Sequence, residues 1–289
     1  MNYRHRYHAG NFADVMKHAL LVRLIRALQR KERGFLFVDT HAGRGGYDLA
    51  STARGNSQAR RPEWPDGIGR LTSSANVPDP LLEYLRLVQE YDRLKGNLAE
   101  EPRFYPGSPW LARRLTRPQD RLAFREKNPS EAAALKAAMG RSLRSSLTVG
   151  DGYAALRALL PPPERRALVL IDPPFETTDE IDAIAAGCAA ALHRLLGCVL
   201  AIWYPLTVRA GGERLAAAVC ALDPPPVLRA ELTIAGGDSD LKMIGCGLVI
   251  INPPWQFDRQ ARTVLECLAP VLARAPGGSA EVSWLVAEG

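Results

Sequence analysis

Short apolar runs alternate with longer amphipathic stretches over most of the chain. Residues 11–30 have apolar positions at helical spacing, and residues 35–39 after them are typical of a buried strand. From residue 105 onward, strands alternate with helices of roughly 10–18 residues, which predicts βαβ units. Because the crossovers of such units are right-handed, the pattern favours an α/β fold with a doubly wound, mostly parallel sheet.

The later elements follow this alternation to the end of the chain. The predicted strands are 35–39, 121–126, 146–149, 167–172, 198–204, 227–234, 246–252 and 281–286, and the predicted helices include 108–114, 129–140, 152–160, 178–196, 212–222 and 256–274. Since only a loop separates the strands 227–234 and 246–252, one of them is expected to run antiparallel.

Residues 51–104 interrupt the alternation. Prolines punctuate this segment, and only residues 80–95 have a helical pattern. We therefore predict an inserted helical subdomain at 51–104 after the first strand. Residues 1–50 and 105–289 then form the main domain, which begins with a basic motif and helix at 1–33.

Composition narrows the class of protein. The chain has 289 residues, of which 47% are hydrophobic, so it has enough apolar surface for a large core. No run approaches the roughly 20 apolar residues of a membrane span, and no apolar segment follows the basic start as in a signal peptide. The five cysteines form no C-x-x-C pair. We expect buried thiols in a cytoplasmic protein, with neither a metal site nor a membrane partner.

Positive charge is concentrated at the start of the chain. Residues 1–61 hold 12 Lys and Arg against 4 Asp and Glu, whereas the whole chain has a net charge of only +6. This favours a surface that faces nucleic-acid phosphates, with Arg4, Arg6 and Arg23 among its members. A merely solvated basic helix is the alternative.

Polar residues collect where the predicted strands end, which is where open α/β sheets bind ligands. A glycine turn beginning at Gly43 follows the first strand and would allow close approach to a ligand. The chain has no P-loop motif, which excludes a P-loop ATPase. Glu126 ends the second strand, where an acid can bind ribose hydroxyls, and Asp151 ends the third, where it can bind an adenine amino group. A surface carboxylate and a helix N-cap are the respective alternatives.

The segment Asp172-Pro173-Pro174-Phe175 follows the apolar strand ALVLI. Two prolines stiffen the turn and leave the Pro173 carbonyl as an acceptor beside the Asp172 carboxylate. Two acceptors next to an aromatic ring suit a planar base with an exocyclic amino group, whose nitrogen they would prepare for attack. A proline-rich helix entry is the alternative.

A second turn of this kind, Asn252-Pro253-Pro254-Trp255, follows the strand GLVII. It lies in the part of the sheet where an antiparallel strand is expected. Its turn would then open at the opposite edge of the sheet, so we predict that Asn252 is structural.

The ordered motifs YRHRYHAGNFADVMKH, FVDTHAGRGGYDL, YPGSPW, VGDGY, LIDPPFE, AIWYP, INPPW and VSWLV together resemble the RlmJ family of 23S rRNA adenine-N6 methyltransferases. The resemblance extends from about residue 2 to 286. It implies a Rossmann-like methyltransferase domain, S-adenosyl-L-methionine as cofactor and 23S rRNA as partner.

The resemblance also implies roles for individual residues. Asp172 is the implied catalytic residue, and our reading of its turn adds Pro173 and Phe175. The implied cofactor-binding residues are His18, His41, Ser108, Glu126, Asp151 and Gly152, to which the glycine turn and the DPPF turn add Gly43 and Asp172. The resemblance also implies that Tyr3, His5 and Lys17 close over donor and substrate, and the concentration of positive charge adds Arg4 and Arg6 as substrate-facing residues. By residue type alone, His18 also suits a structural role and Ser108 an N-cap.

The chain departs from the family in two places. Phe175 stands where the family usually has Tyr, which keeps the stacking face but loses the hydroxyl, and residues 51–104 diverge.

Three other functions remain open at this point. A dinucleotide-dependent oxidoreductase would share the first turn and the strand-2 acid, but it has no use for the DPPF turn. A non-catalytic RNA-binding module would explain the charge but not the strand-end acids. A DNA adenine-N6 methyltransferase would use the same chemistry, but the chain lacks an obvious DNA-reading domain. We expect a monomeric enzyme that acts on RNA.

Overall fold

The computed structural model describes residues 5–50, 62–74, 77–140, 142–177, 179–207 and 212–288. The strands are β1 (Leu36–Asp39), β2 (Gly46–Asp48), β3 (Phe104–Pro106), β4 (Arg121–Glu126), β5 (Ser145–Val149), β6 (Ala167–Ile171), β7 (Val199–Leu206), β8 (Val227–Thr233), β9 (Gly245–Ile251) and β10 (Ser279–Val286). The helices are α1 (His5–His8), α2 (Phe12–Leu28), α3 (Ile68–Thr72), α4 (Asp79–Leu94), α5 (Ser108–Leu115), α6 (Pro129–Met139), α7 (Gly152–Leu159), α8 (Glu180–Arg194), α9 (Glu213–Cys220) and α10 (Phe257–Leu272). Most of the predicted elements agree with these bounds to within two residues.

The main sheet has eight strands in the order β10-β8-β9-β7-β6-β1-β4-β5. The neighbouring strands β5, β4, β1, β6 and β7 pair in parallel. Strand β9 pairs antiparallel with both β7 and β8. The predicted doubly wound, mostly parallel α/β sheet is confirmed, as is the predicted reversal within the last strands. The strands β4, β1 and β6 are adjacent, so their carboxyl ends meet at one edge of the sheet.

Helix α2 lies mostly inside the molecule, and only two of its residues reach the surface. All of its residues are buried except Arg23 and Arg26, and its polar residues Asp14, Lys17 and His18 are buried with the rest. The reason is tertiary, because α4, α5 and α10 all pack against it. Lys17 is therefore not part of the predicted phosphate-facing surface, which stays a prediction for the other basic residues.

The predicted insertion packs into the core of the main domain. Ile68 and Leu71 on α3 and Tyr84 and Val88 on α4 belong to one apolar cluster with residues of α2 and α10. The two-stranded sheet β2–β3 brings the two ends of the insertion together, with Tyr47 opposite Tyr105. Strands of three residues are too short for a periodic signal, so the sequence pattern did not predict this pair.

The cysteines are free thiols; Cys188, Cys198 and Cys246 are buried as expected, whereas Cys220 and Cys267 are only half-buried. No helix in the described ranges is long and apolar enough to cross a membrane.

Candidate active site

The loop after β1 is tied to the end of β4. Gly43 has a φ of +59°, which favours glycine, and its backbone N–H donates to Glu126 Oε2 at 2.8 Å. The N–H of Asn128 donates to the other oxygen, Oε1, at 2.7 Å. An ionised carboxylate has about four acceptor positions. Glu126 is therefore oriented by two backbone groups and keeps acceptor capacity for a ligand.

Asp151 and Gly152 lie at the start of α7, next to the loop after β1. Asp151 caps α7, because its Oδ1 accepts from the N–H of Ala154 at 3.0 Å. The side chain is exposed, so Oδ2 remains available. A Cβ on Gly152 would lie 2.2 Å from the Thr40 carbonyl oxygen, a distance that real contacts do not reach. Gly152 thus permits the start of α7 to approach the loop closely.

The two predicted histidines have different surroundings. His18 is 2% exposed, and its Nδ1 lies 2.8 Å from the Tyr105 hydroxyl in a network that continues to Tyr84. His41 is half-buried in the loop after β1, with its Nδ1 2.8 Å from Thr40 Oγ1. Burial lowers the pKa of His41 to about 4, so its ring is neutral at physiological pH.

Ser108 begins α5 beside the loop, but its side chain does not cap the helix. Its hydroxyl instead donates to Asp39 Oδ2 at 2.6 Å. The Gly107 N–H donates to the Gly45 carbonyl at 3.0 Å, which holds the start of α5 against the loop. Asp39 was assigned no role in the sequence analysis. Its position as the acid that ends the first strand is the signal that points to it.

Lys17 lies within the site and not on a phosphate-facing surface. Its side chain is 4% exposed, and its Nζ donates to Asp14 Oδ1 at 2.8 Å and to Asp172 Oδ2 at 2.6 Å. Burial alone would lower the pKa of Lys17, but the two carboxylates outweigh it and hold the pKa well above its ordinary value. A permanent ammonium group therefore orients the Asp172 carboxylate.

The turn after β6 presents the predicted catalytic group. Within the described residues, the Pro173 carbonyl has no hydrogen-bond partner, as expected for a free acceptor. Phe175 has a φ of +48°, a conformation that costs a bulky residue about 1–3 kcal/mol and that is frequent at functional sites. Its ring meets the Trp203 ring edge-on at 6.0 Å. Trp203, a member of the AIWYP motif, thus forms one wall of the site, and the centroid of its ring lies 5.9 Å from Lys17 Nζ.

The Asn252 turn lies at the opposite edge of the sheet. Because β9 runs antiparallel to β7, its carboxyl end lies beside the start of β7. Asn252 Nδ2 donates to the carbonyls of Leu196 and Cys198 at 2.5 and 3.0 Å. Its φ of +54° is one that asparagine tolerates. These contacts support the predicted structural role.

The residues near the start of the chain that were predicted to face RNA lie in different places. Tyr3 and Arg4 lie outside the described residues, and so do the side chains of His5 and Arg6 in α1. Arg23 donates to the Pro80 carbonyl at the start of α4, so it joins the insertion to α2 instead of facing phosphates. The structure thus gathers Lys17, His41, Gly43, Ser108, Glu126, Asp151 and Asp172 around the carboxyl ends of the parallel strands.

Comparisons with known proteins identify the family. The family described as "Ribosomal RNA large subunit methyltransferase D, RlmJ" matches residues 32–286. The chain belongs to the RlmJ family. Two curated relatives, each named "Ribosomal RNA large subunit methyltransferase J", align over 100% of both chains. The Escherichia coli (strain K12) protein is 37% identical over 288 residues, and the Haemophilus influenzae protein is 34% identical.

A solved structure shares the fold of this chain. The crystal structure of a Legionella pneumophila protein has 34% sequence identity and a TM-score of 0.81, and the match covers 96% of this chain and 98% of that one. Membership of the RlmJ family makes the chain a ribosomal RNA methyltransferase. The oxidoreductase and the non-catalytic RNA-binding module are thereby excluded.

Proposed function

We propose that the protein transfers a methyl group from S-adenosyl-L-methionine to N6 of a specific adenine in 23S ribosomal RNA, as a single chain in the cytoplasm. The observation that carries this proposal is the turn from Asp172 to Phe175, whose carboxylate is oriented by Lys17 at 2.6 Å beside the glycine loop. The names of the two curated relatives support a large-subunit RNA substrate over DNA.

The strand-end residues fit this methyl donor. When bound, the donor supplies a methyl group on a positively charged sulfur. Glu126 accepts one backbone N–H on each oxygen, and its remaining acceptor capacity suits the two ribose hydroxyls. Asp151 Oδ2, the oxygen that does not cap α7, suits an adenine amino group. Ser108 and the neutral His41 side chain line the rest of the proposed donor site. The carboxylates of Glu126 and Asp151 also favour a cationic ligand.

Asp172 and Pro173 supply the acceptors for the target base. Since Lys17 engages Asp172 Oδ2, the other carboxylate oxygen and the Pro173 carbonyl would accept the two N–H groups of an exocyclic amine. Hydrogen bonds to both N–H groups favour a pyramidal nitrogen and so expose its lone pair. Phe175 offers its ring face for stacking. The base must leave any helical stack to reach this turn, at a cost of a few kcal/mol.

Methylation of defined RNAs tests the proposal. Purified protein would be incubated with methyl-labelled S-adenosylmethionine and an unmodified 23S rRNA transcript, with a 16S transcript and duplex DNA as controls. We expect label in N6-methyladenosine from the 23S transcript only. Label in another nucleoside, or equal labelling of the DNA, would contradict the proposal. Calorimetry should also show that S-adenosylhomocysteine binds in preference to NAD.

A further inference from the structure

A group of basic residues lies at the amino-terminal edge of the main sheet, opposite the proposed active site. The group, here called the arginine face, occupies the loop after α2 and the positions shortly before β4, β5 and β6. Its members are Arg30, Lys31, Arg33, Arg117, Arg144, Arg165 and Arg166. Among the described residues, Arg117 alone of this group lies within ion-pair distance of a carboxylate, that of Asp120. Glu164 nearby is paired with Arg121, and Glu32 is the exposed acid of the loop. The face therefore has an excess of positive charge.

Two of these arginines hold the loop after α2 in place. Arg117 donates to the Lys31 carbonyl at 3.0 Å, and Arg166 donates to the Arg33 carbonyl and, at 2.7 Å, to the last carbonyl of α2. Cations are favoured at the carboxyl end of a helix, which accounts for these two residues. It does not account for Lys31, Arg33 and Arg165, whose exposed side chains have no hydrogen-bond or ion-pair partner within the described ranges.

The like charges of the arginine face repel one another. Burial lowers the pKa of Arg166, and the charges of Arg117 and Arg33 lower it further, whereas Asp120 raises it. The fold thus keeps three guanidinium groups close together with little compensating negative charge. A bound anion would reduce this repulsion. A phosphate group suits the position, because a guanidinium can donate two parallel hydrogen bonds to its oxygens.

An exposed tryptophan adjoins the arginine face. Trp255 follows Pro253 and Pro254 in the turn after β9, and it is 70% exposed. Arg30 donates to its carbonyl at 3.3 Å, so this turn contacts the loop after α2. The two prolines and the hydrogen bonds of Asn252 fix the backbone of the turn. Proteins that bind unpaired RNA stack its bases on aromatic rings of this kind beside basic side chains.

We propose that the arginine face and Trp255 form a second RNA-binding surface, which holds a part of the substrate RNA other than the segment with the target adenine. Lys31, Arg33 and Arg165 bind phosphates there, and Trp255 stacks on an unpaired base. The inference rests on the proposed function only in that the substrate is a large folded RNA.

The position of this surface separates it from the target base. Strand β4 begins beside the arginine face and ends at Glu126 in the proposed active site. At about 3.4 Å per residue, the strand spans roughly 17 Å. The sheet itself lies between the two surfaces. A nucleotide at Asp172 and a nucleotide at Trp255 therefore belong to different parts of the RNA, which a large ribosomal RNA can supply and a short fragment cannot.

Filter binding of a full-length 23S transcript tests the phosphate contacts and needs no methyl transfer. The test variant is Lys31→Ala with Arg33→Ala, and the control is Arg86→Ala with Arg93→Ala, which removes the same charge from exposed positions of α4. If each residue neutralises one phosphate, the test variant should flatten the log–log salt slope by about 1.4–1.8 and weaken binding at least about tenfold near physiological salt. The control pair should change neither quantity.

Substitution of Trp255 tests the base contact in the same assay. Trp255→Ala should weaken binding at least about fivefold without changing the salt slope, because a stacked base is lost, and Trp255→Phe should keep most of the affinity. A surface that binds any polyanion would respond to the loss of charge but not to the loss of the ring.

Steady-state methylation separates this surface from the active site. With the full-length transcript, Lys31→Ala with Arg33→Ala should raise KM about tenfold or more and leave kcat unchanged. With the shortest fragment of that transcript that is still methylated, the KM of the same variant should equal that of the wild type, because the fragment occupies the active site alone.

Unchanged affinity for the 23S transcript in the Lys31 and Arg33 variant would overturn the inference, and so would an equal loss in the control pair. A loss of affinity on removal of the charges but not of the Trp255 ring would overturn the RNA stacking surface in favour of a general anion site. A KM that rises equally on the fragment would show contact beside the target adenine and exclude a separate segment. Absence of methyl transfer by the wild type would overturn the proposed function, whereas the binding results would still decide this inference.

Discussion

The two proline turns provide a direct comparison of a proposed catalytic residue with a structural one. We compare Asp172→Ala at the carboxyl end of β6 with Asn252→Ala at the opposite edge of the sheet. Both residues precede two prolines and an aromatic residue, so the local sequence does not distinguish them. The structure predicts opposite consequences for the two substitutions.

Asp172→Ala should abolish most methyl transfer without unfolding the protein. Lys17 would keep its partner Asp14 at 2.8 Å, so its buried ammonium group would not be left unpaired. Loss of one preorganised polar group at a reacting centre lowers turnover by about 10²–10³-fold, or ~2.7–4 kcal/mol in the barrier. Because the carboxylate acts on the amine as it loses planarity, donor affinity should stay close to that of the wild type. Asp172→Asn should keep part of the activity, since an amide oxygen still accepts.

Asn252→Ala should have the opposite effects on stability and on turnover. It removes two hydrogen bonds, to the carbonyls of Leu196 and Cys198, and each contributes about 1 kcal/mol. The free energy of unfolding should therefore fall by ~1–2 kcal/mol while the turnover of folded protein is unchanged.

Single-turnover methylation at saturating donor measures the chemical step, and urea unfolding of the same samples measures stability. An active Asp172→Ala beside an inactive but well-folded Asn252→Ala would refute the assignment of the two turns.

Three further predictions concern Lys17, Phe175 and the arginines near the start of the chain. Lys17→Met should lower the free energy of unfolding, measured in urea, by ~3–5 kcal/mol, because it leaves the buried carboxylates of Asp14 and Asp172 without their cation. A loss below ~1 kcal/mol would show that these two ion pairs do not stabilise the fold. Phe175→Tyr should keep methyl transfer and Phe175→Ala should lose it at equal donor affinity, because the ring face supplies the stacking; an active alanine variant would exclude that role. RNA affinity should fall with salt at a log–log slope of roughly −3 to −4, and the pair Arg4→Ala and Arg6→Ala should flatten it by roughly one to two. Arg23→Ala is the control, since Arg23 contacts the Pro80 carbonyl and its loss should leave the slope unchanged.

Local pattern was sufficient for the longer helices and for the strands of the main sheet. Strand β4 and the start of α7 agree with the predicted bounds, because buried runs and a capping Asp151 are signals contained within a few residues. The grouping of Glu126, Asp151 and Asp172 at one edge also followed from the sequence. Parallel strands joined by right-handed crossovers must end on the same side.

Tertiary packing decided what the local pattern left open. Helix α2 has three basic residues, and α4, α5 and α10 pack around it so that Lys17 is buried while Arg23 and Arg26 are not. Burial then makes Lys17 the partner of Asp172, 155 positions away. Likewise, the bond between Asp39 and Ser108 exists only because α5 begins against the loop after β1. Periodicity reports which side of an element is apolar, but a charge inside the protein is stable only with a partner. Which residue becomes that partner depends on which helices and strands meet in space. The spacing of residues along the chain does not determine this.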